Sequence, residues 1–248
     1  MTPEIEKIFE EIKATHGENS IERVEEMLYA DRKKRHPLQA GAKWIMPGIS
    51  QNPWHDPYAH PEIAPIVRAF ESNHVTIKRE FDAAWTGNGT AFSAYEHYLT
   101  RQENWQALYL FRDGAPVPAS RASVPTAFSI LNEYAVETGK ICPLLESHFS
   151  TLLPGATISP HCDLWNFSIN LHLAVDIPEE CGITVAGETR EWQEGNCLLF
   201  DYSFEHEAWN KGARPRTCLL VDLWHPETTI PERAALVEVI SEIRRLMA

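Results

Sequence analysis

Short apolar runs separated by turn-forming residues fill the second half of the chain, and they constrain its fold more than any other feature. Gly, Pro, Asn and Asp repeatedly stand between these runs. Runs this short are typical of antiparallel sheets that close into a sandwich, a barrel or a jelly roll. We predict strands at 105–112, 146–153, 156–160, 166–175, 182–186, 188–192, 197–201 and 217–224.

Helical patterns flank this β-rich stretch. Apolar residues recur at helical spacing near the N-terminus, for example at Ile5, Ile8, Phe9 and Ile12. We predict helices at 3–15, 20–35, 61–85, 125–138 and 230–247. Because no repeat or low-complexity linker divides the chain, we expect one structural domain. It would comprise a helical region at 1–104, a β core at 105–227 and a C-terminal helix at 228–248.

The overall charge narrows the range of partners. The 248 residues carry a formal net charge of −13, and an acidic surface repels phosphate backbones and anionic membranes. Five cysteines without regular spacing are not typical of a disulfide framework or a zinc site. No apolar run approaches the length of a membrane span. We therefore expect a cytoplasmic protein without nucleic-acid or membrane partners.

A His-x-Asp motif is the first candidate for chemistry. His161 and Asp163 lie two positions apart, so a strand would turn both side chains to one face. Two imidazoles and one carboxylate are the ligands of non-haem iron(II) oxygenases. His206, which follows the strand predicted at 197–201, is the candidate for the second imidazole. Taken alone, His161 is equally well explained as an ordinary loop histidine.

Arg216 is the second candidate, because it opens the last predicted strand. A guanidinium binds a carboxylate through two parallel hydrogen bonds. A 2-oxoglutarate molecule that chelates iron through its oxo-acid end needs such a cation for its distal carboxylate. A surface ion pair is the competing explanation of Arg216.

Several motifs between about 146 and 236 resemble the aspartyl/asparaginyl β-hydroxylase family. They comprise Pro154-Gly155 ahead of His161, the block Phe200-Asp201-Tyr202-Ser203-Phe204-Glu205-His206-Glu207, and the ending Asp222-Leu223-Trp224-His225-Pro226-Glu227. The resemblance implies a mainly β protein with flanking helices around a double-stranded β-helix, the cupin-like jelly roll. It also implies iron(II), with 2-oxoglutarate and O2 as cosubstrates.

The same resemblance assigns roles by position. His161 and His206 match the two iron-binding histidines of the family, and Arg216 matches its 2-oxoglutarate arginine. Ser150 matches a serine that helps to hold the same carboxylate, and His172 matches a histidine beside the cosubstrate. These assignments are what the resemblance implies.

The chain departs from the family pattern at two positions. The animal β-hydroxylase has glycine where this chain has Asp163, so the His-x-Asp form is intact here, as in the bacterial lipid A 2-hydroxylases. A carboxylate at that position leaves no ligand site for a halide and disfavours a halogenase. Asn170 stands where the family usually places an arginine near the substrate acid, and it offers hydrogen bonds without charge. We predict Asn170, Ser168 and Trp165 as substrate contacts.

The main functional prediction is a dioxygenase that hydroxylates an unactivated C–H bond of a small molecule, either an amino acid or a carrier-protein-bound aminoacyl group. One alternative is a hydroxylase of Asp- or Asn-type side chains in peptides or proteins. The other is a metal-binding jelly-roll module that does not turn over. Three questions stay open. They are whether the protein forms a homodimer, what the N-terminal helices do, and whether the reaction ends in desaturation or cyclisation instead of hydroxylation.

Overall fold

The computed structural model describes residues 2–29, 35–86, 92–94, 104–143 and 146–247. The helices are α1 (Pro3–His16), α2 (Glu22–Tyr29), α3 (Ala64–Ser72), α4 (His74–Thr86), α5 (Pro118–Ser123), α6 (Pro125–Leu131) and α7 (Ile230–Met247). The strands are β1 (Trp54–His55), β2 (Ser93–Ala94), β3 (Trp105–Arg112), β4 (Ala115–Pro116), β5 (Ser147–Leu152), β6 (Thr157–His161), β7 (Ser168–Asp176), β8 (Cys181–Val185), β9 (Glu188–Arg190), β10 (Cys197–Phe200), β11 (His206–Asn210) and β12 (Arg216–Trp224).

The strands form two antiparallel sheets. The main sheet has the order β1-β10-β7-β12-β5-β3-β2, with β4 paired to β3, and the minor sheet has the order β6-β11-β8-β9. From β5 to β12 the chain passes repeatedly between the two sheets, so strands adjacent in sequence are not all adjacent in space. This is the topology of a jelly roll, and the predicted fold class is confirmed.

The main sheet is buried on both faces. On one face Leu171 of β7 and Leu219 of β12 belong to an apolar cluster with Phe70 of α3 and Phe81 of α4. On the other face Ala174 and Cys218 share a second cluster with Ile183 and Ala208 of the minor sheet. Every residue of β7 except the last, Asp176, is buried, although the strand alternates between apolar residues and the polar Ser168, Asn170 and His172.

The predicted strand at 105–112 and the predicted helix at 230–247 match β3 and α7 residue for residue. The prediction of one helix at 61–85 is wrong, because the chain forms α3 and α4 with a break at Asn73, whose side-chain amide donates to the Ala69 carbonyl. The helix predicted at 20–35 ends at Tyr29 within the described residues, and residues 30–34 lie outside them. Strand β11 was not predicted.

Helices α1 and α2 pack against α7. Arg23 of α2 donates from Nε to the Glu232 carboxylate at 2.7 Å, and Ile5 and Phe9 of α1 are buried in the core. The division into 1–104, 105–227 and 228–248 stays a prediction, although β1 and β2 from the first part hydrogen-bond to strands of the core. Within the ranges given above, no helix combines the length and apolar content that a bilayer span requires.

Candidate metal centre

Two histidines face each other across the minor sheet. His161 ends β6 and His206 begins β11, and the strand register pairs them directly, with ring centroids 4.1 Å apart. Asp163 follows β6, and its backbone N–H donates to the Tyr202 carbonyl at 2.9 Å. The potential ligand atoms of the three side chains all lie within 4.8 Å of one another. The structure therefore brings together the three residues that the sequence singled out.

Hydrogen bonds orient both imidazoles in the same way. His161 donates from Nδ1 to the Ser159 carbonyl, and His206 donates from Nδ1 to the Phe204 carbonyl, each at 2.8 Å. A carbonyl can only accept, so Nδ1 carries the proton and Nε2 is the nitrogen able to bind a metal. Burial lowers the pKa of His206 to about 4, which keeps its ring neutral, as metal binding requires. This donor set fits iron(II).

The loop between β10 and β11 sets the position of His206. The Asp201 carboxylate accepts from the Ser203 backbone N–H at 2.9 Å, and the Ser203 hydroxyl accepts from the Gln39 amide at 2.8 Å. The Glu205 N–H donates to the Leu38 carbonyl. Burial raises the pKa of Asp201 to about 7. The N-terminal region thus holds the loop that delivers the second histidine to the site.

A cavity of about 330 Å³ separates the two sheets at this point. It is lined by all but one of the residues predicted to form the site. Those residues are Ser150, His161, Asp163, Trp165, Asn170, His172, His206 and Arg216.

Arg216 lies at one end of the cavity and is only 2% exposed. Its guanidinium carbon sits 4.5 Å from the centroid of the Trp192 ring, a cation–π contact. Among the described residues its Nε–H has no hydrogen-bond acceptor and the guanidinium has no carboxylate partner. Nearby, the Ser150 hydroxyl accepts from the Trp105 indole at 2.8 Å. A buried cation that lacks an anion fits the distal carboxylate of 2-oxoglutarate.

His172 lines the same cavity as Arg216 and the candidate metal ligands. Its ring stacks on Trp192 with a centroid distance of 6.1 Å, and it meets Phe200 edge-on at 4.8 Å. Burial, followed by the charge of Arg216, holds the pKa of His172 well below its usual range. The ring is therefore neutral and serves as an uncharged wall of the cavity.

The three predicted substrate contacts differ in their placement. The Asn170 amide donates to the Asp222 carboxylate at 2.6 Å, and the Trp165 indole donates to the Tyr202 hydroxyl at 3.1 Å, so both are held in the cavity wall. Ser168 does not line the cavity, because it is fully buried and its hydroxyl donates to the Leu223 carbonyl at 2.7 Å. The structure does not bring Ser168 to the site.

Several cavity residues were missed by the sequence reasoning. Trp192 forms the floor under Arg216, Trp105 holds Ser150, and Asp222 is bonded to Asn170. Asp222 carried a detectable signal, since it is the one acidic residue in the apolar run at 217–224. Trp105 and Trp192 carried none, because a buried tryptophan is more often part of the core.

Sequence comparison shows which known proteins the chain resembles. The family model described as aspartyl/asparaginyl beta-hydroxylase matches residues 71–226. Aspartate beta-hydroxylase domain-containing protein 2 of Xenopus tropicalis is 33% identical over 180 residues, which is 71% of this chain and 48% of that protein. Human aspartyl/asparaginyl beta-hydroxylase is 30% identical over 190 residues, 76% of this chain and 25% of that protein.

Among solved structures, a Pseudomonas putida prolyl-4-hydroxylase is similar with a TM-score of 0.40 and 13% identity, over 64% of this chain and 98% of that one. The chain spans about half the length, or less, of the curated relatives named above. The family model, by contrast, covers more than half of this chain. The chain belongs to the aspartyl/asparaginyl β-hydroxylase family.

Proposed function

We propose that the protein is an iron(II)- and 2-oxoglutarate-dependent oxygenase that hydroxylates a side chain of a peptide or protein. The observation that carries the proposal is the combination of two features in one cavity. One is the His161, Asp163 and His206 group, and the other is the buried Arg216, which has no carboxylate partner among the residues described. A metal site alone would also suit a cupin without oxygenase activity, and the buried cation is the feature that calls for a dicarboxylate.

The residues divide the work between them. His161, Asp163 and His206 would hold iron(II), and Arg216 with Ser150 would hold the far carboxylate of 2-oxoglutarate. Iron(II) and 2-oxoglutarate, when bound, supply the oxygen activation that converts a C–H bond to C–OH and releases succinate and carbon dioxide. His172, Phe200 and Trp192 give this part of the cavity dry walls, which strengthen the pairing of Arg216 with an anion.

The substrate is proposed to be a side chain on a larger molecule. The expectation of a small-molecule substrate is not supported by the relatives, whose names refer to an aspartyl/asparaginyl beta-hydroxylase and to aspartate beta-hydroxylase domains. The geometry is compatible with the alternative, since at the cavity the Asp163 side chain is 42% exposed and Leu164 as a whole is 40% exposed. A side chain attached to a peptide could therefore enter beside the metal ligands.

A succinate-release assay tests the proposal. The iron-loaded protein is given 2-oxoglutarate and air with a panel of peptides, and in parallel with free and carrier-bound amino acids. We expect peptide-stimulated succinate in the wild type and none in His206→Ala. If only the small molecules stimulate succinate release, the substrate is a small molecule. If the iron-loaded protein releases no succinate with any substrate, the protein is a metal-binding module without catalytic activity.

A further inference from the structure

The end of the cavity away from Arg216 is formed by a pair of side chains. Asn170 of β7 and Asp222 of β12 are direct partners in the strand register, and both line the cavity. Asp222 lies six positions after Arg216 on the same strand, which corresponds to about 20 Å of extended chain. The pair therefore belongs to the space left for a substrate and is separate from the residues assigned to the cosubstrate.

Asp222 accepts hydrogen bonds only from neutral groups. Its Oδ1 accepts from the Asn170 amide at 2.6 Å, and its Oδ2 accepts from the Glu146 backbone N–H at 3.3 Å. Throughout the part of the chain that the structure describes, no Lys, Arg or His nitrogen lies within ion-pair distance of this carboxyl. Asp222 is only partly covered, so it presents surface to the cavity.

The other charged groups at this end are already matched. Glu146 pairs with Arg112, with 3.4 Å between Oε1 and Nε, and Asp113 pairs with Arg244, with 2.8 Å between Oδ1 and an Nη atom. Asp163, a further carboxyl at the cavity, is assigned to iron with His161 and His206, so among the described residues Asp222 is left without a cation. Burial raises its pKa to about 7, and the negative charges of Asp163 and Glu146 act in the same direction, whereas the hydrogen bond from Asn170 opposes the shift.

This arrangement decides which substrate charge can be accommodated. A second carboxylate placed beside the ionised form of Asp222 would meet like charge in a poorly solvated space, which is unfavourable. An amine or guanidinium would supply the N–H donors and the positive charge that the carboxyl lacks. The Asn170 amide cannot compensate for Asp222, because it is neutral and its Nδ2 is already bonded to that carboxyl.

We propose that Asp222, oriented by Asn170, determines specificity and selects substrates whose side chain carries a cationic nitrogen over those with a carboxylate. The inference rests on the proposed function for the statement that this cavity end receives the substrate. Asn170 is a positioning residue in this scheme, since it acts through Asp222.

Binding of matched peptides tests the inference without turnover. Four peptides that differ at one central residue (Lys, Arg, Asn or Asp) are titrated calorimetrically into the iron- and 2-oxoglutarate-loaded protein under anaerobic conditions. We expect the Lys or Arg peptide to bind about tenfold or more tightly than the Asp peptide. Preference for the Asp or Asn peptide overturns the inference, and so does the absence of binding by both cationic peptides at millimolar concentration.

Two variants and a control assign the preference to Asp222. Asp222→Asn removes the charge with little change of shape, and Asn170→Arg keeps the carboxyl but places a cation beside it. Both are expected to reduce the Lys-to-Asp affinity ratio by about tenfold or more. Glu179→Gln, which removes a charge from an exposed residue that does not line the cavity, should leave the ratio unchanged. An unchanged ratio in both cavity variants overturns the assignment.

The outcome is separable from that of the proposed function. Charge-selective peptide binding without any succinate release would support the role of Asp222 in specificity and contradict the proposal that the protein is an oxygenase. Succinate release stimulated best by the Asp peptide would support the enzymatic proposal and remove the inference.

Discussion

Arg216 offers the sharpest test of the cosubstrate assignment. The proposed change is Arg216→Met, which removes the charge and the hydrogen-bond donors but keeps an unbranched chain that can pack on Trp192. Arg216 is 2% exposed, so any anion it binds is paired in a poorly solvated site. Loss of one partner from a buried, hydrogen-bonded charge pair costs roughly 2–5 kcal/mol. The affinity for 2-oxoglutarate should therefore fall by about 30-fold to several thousandfold.

The effect on the unliganded protein should be different. Without a ligand the guanidinium has no carboxylate partner among the residues described, so replacing it with an apolar side chain removes a desolvated charge. We expect the unliganded Arg216→Met variant to be at least as stable as the wild type. A ligand at about 100 times its Kd stabilises the folded wild type by about 2.7 kcal/mol, and the variant should show little of this gain at the same concentration.

Two measurements check this prediction, namely anaerobic calorimetric titration with 2-oxoglutarate and thermal unfolding with and without it. Arg214→Met is the matched control, because Arg214 is 61% exposed and pairs with Asp176 at 3.1 Å. The control should keep the wild-type affinity. An unchanged affinity in Arg216→Met, or an equal loss in Arg214→Met, would refute the assignment of Arg216.

Three further changes test the metal ligands and the surrounding fold. His161→Ala should lose iron binding in an anaerobic metal titration while far-UV circular dichroism stays unchanged, since the side chain lies at the end of β6. Asp163→Gly should lose most succinate release at saturating iron, because the surroundings are not adapted to a missing carboxylate and changes around a metal commonly cost roughly 10- to 100-fold. His225→Asn should lessen the loss of stability between pH 7 and pH 5, measured by denaturant unfolding. Burial lowers the pKa of His225 from 6.5 to about 4, so between pH 7 and pH 5 the unfolded chain takes up a proton at this residue and the folded chain does not. The wild type therefore loses about 2 kcal/mol of its free energy of unfolding over this range because of His225.

The strands of the main sheet were predictable because the apolar residues in their sequences match the buried positions that these strands occupy in the fold. β3 and β12 are apolar runs with β-branched or aromatic residues, and burial on both faces is consistent with such runs. Strand β11 was missed because His206, Glu207 and Asn210 give it a polar composition with no strand preference. It forms because β6 and β8 supply its hydrogen-bond partners on both sides, and that pairing is tertiary.

The metal group was predictable to the extent that its spacing is local. His161 and Asp163 stand two positions apart, and side chains along a strand alternate between its two faces, so both are expected on the same face. His206 was a candidate from its place after the strand predicted at 197–201, and the family resemblance supported it, but the sequence alone does not show which residues face each other across β6 and β11. The contrast between Asn170 and Ser168 was also out of reach. Both residues have the same strand parity, but Ser168 is fully buried, with its hydroxyl bonded to the Leu223 carbonyl, whereas Asn170 lines the cavity.

One strand sets the distance between the two ends of the cavity. β12 carries Arg216 at its start and Asp222 near its end, while His161 and His206 belong to strands of the opposite sheet. A slip of β12 by one residue would turn both side chains toward the helices, and its pairing with β5 on one side and β7 on the other opposes that slip. The pairing of β12 in the sheet therefore fixes the distance between Arg216 and Asp222, whereas a single side chain determines the charge at each end of the cavity. It follows that Asp222→Asn should change substrate preference without changing 2-oxoglutarate affinity, and Arg216→Met should do the reverse.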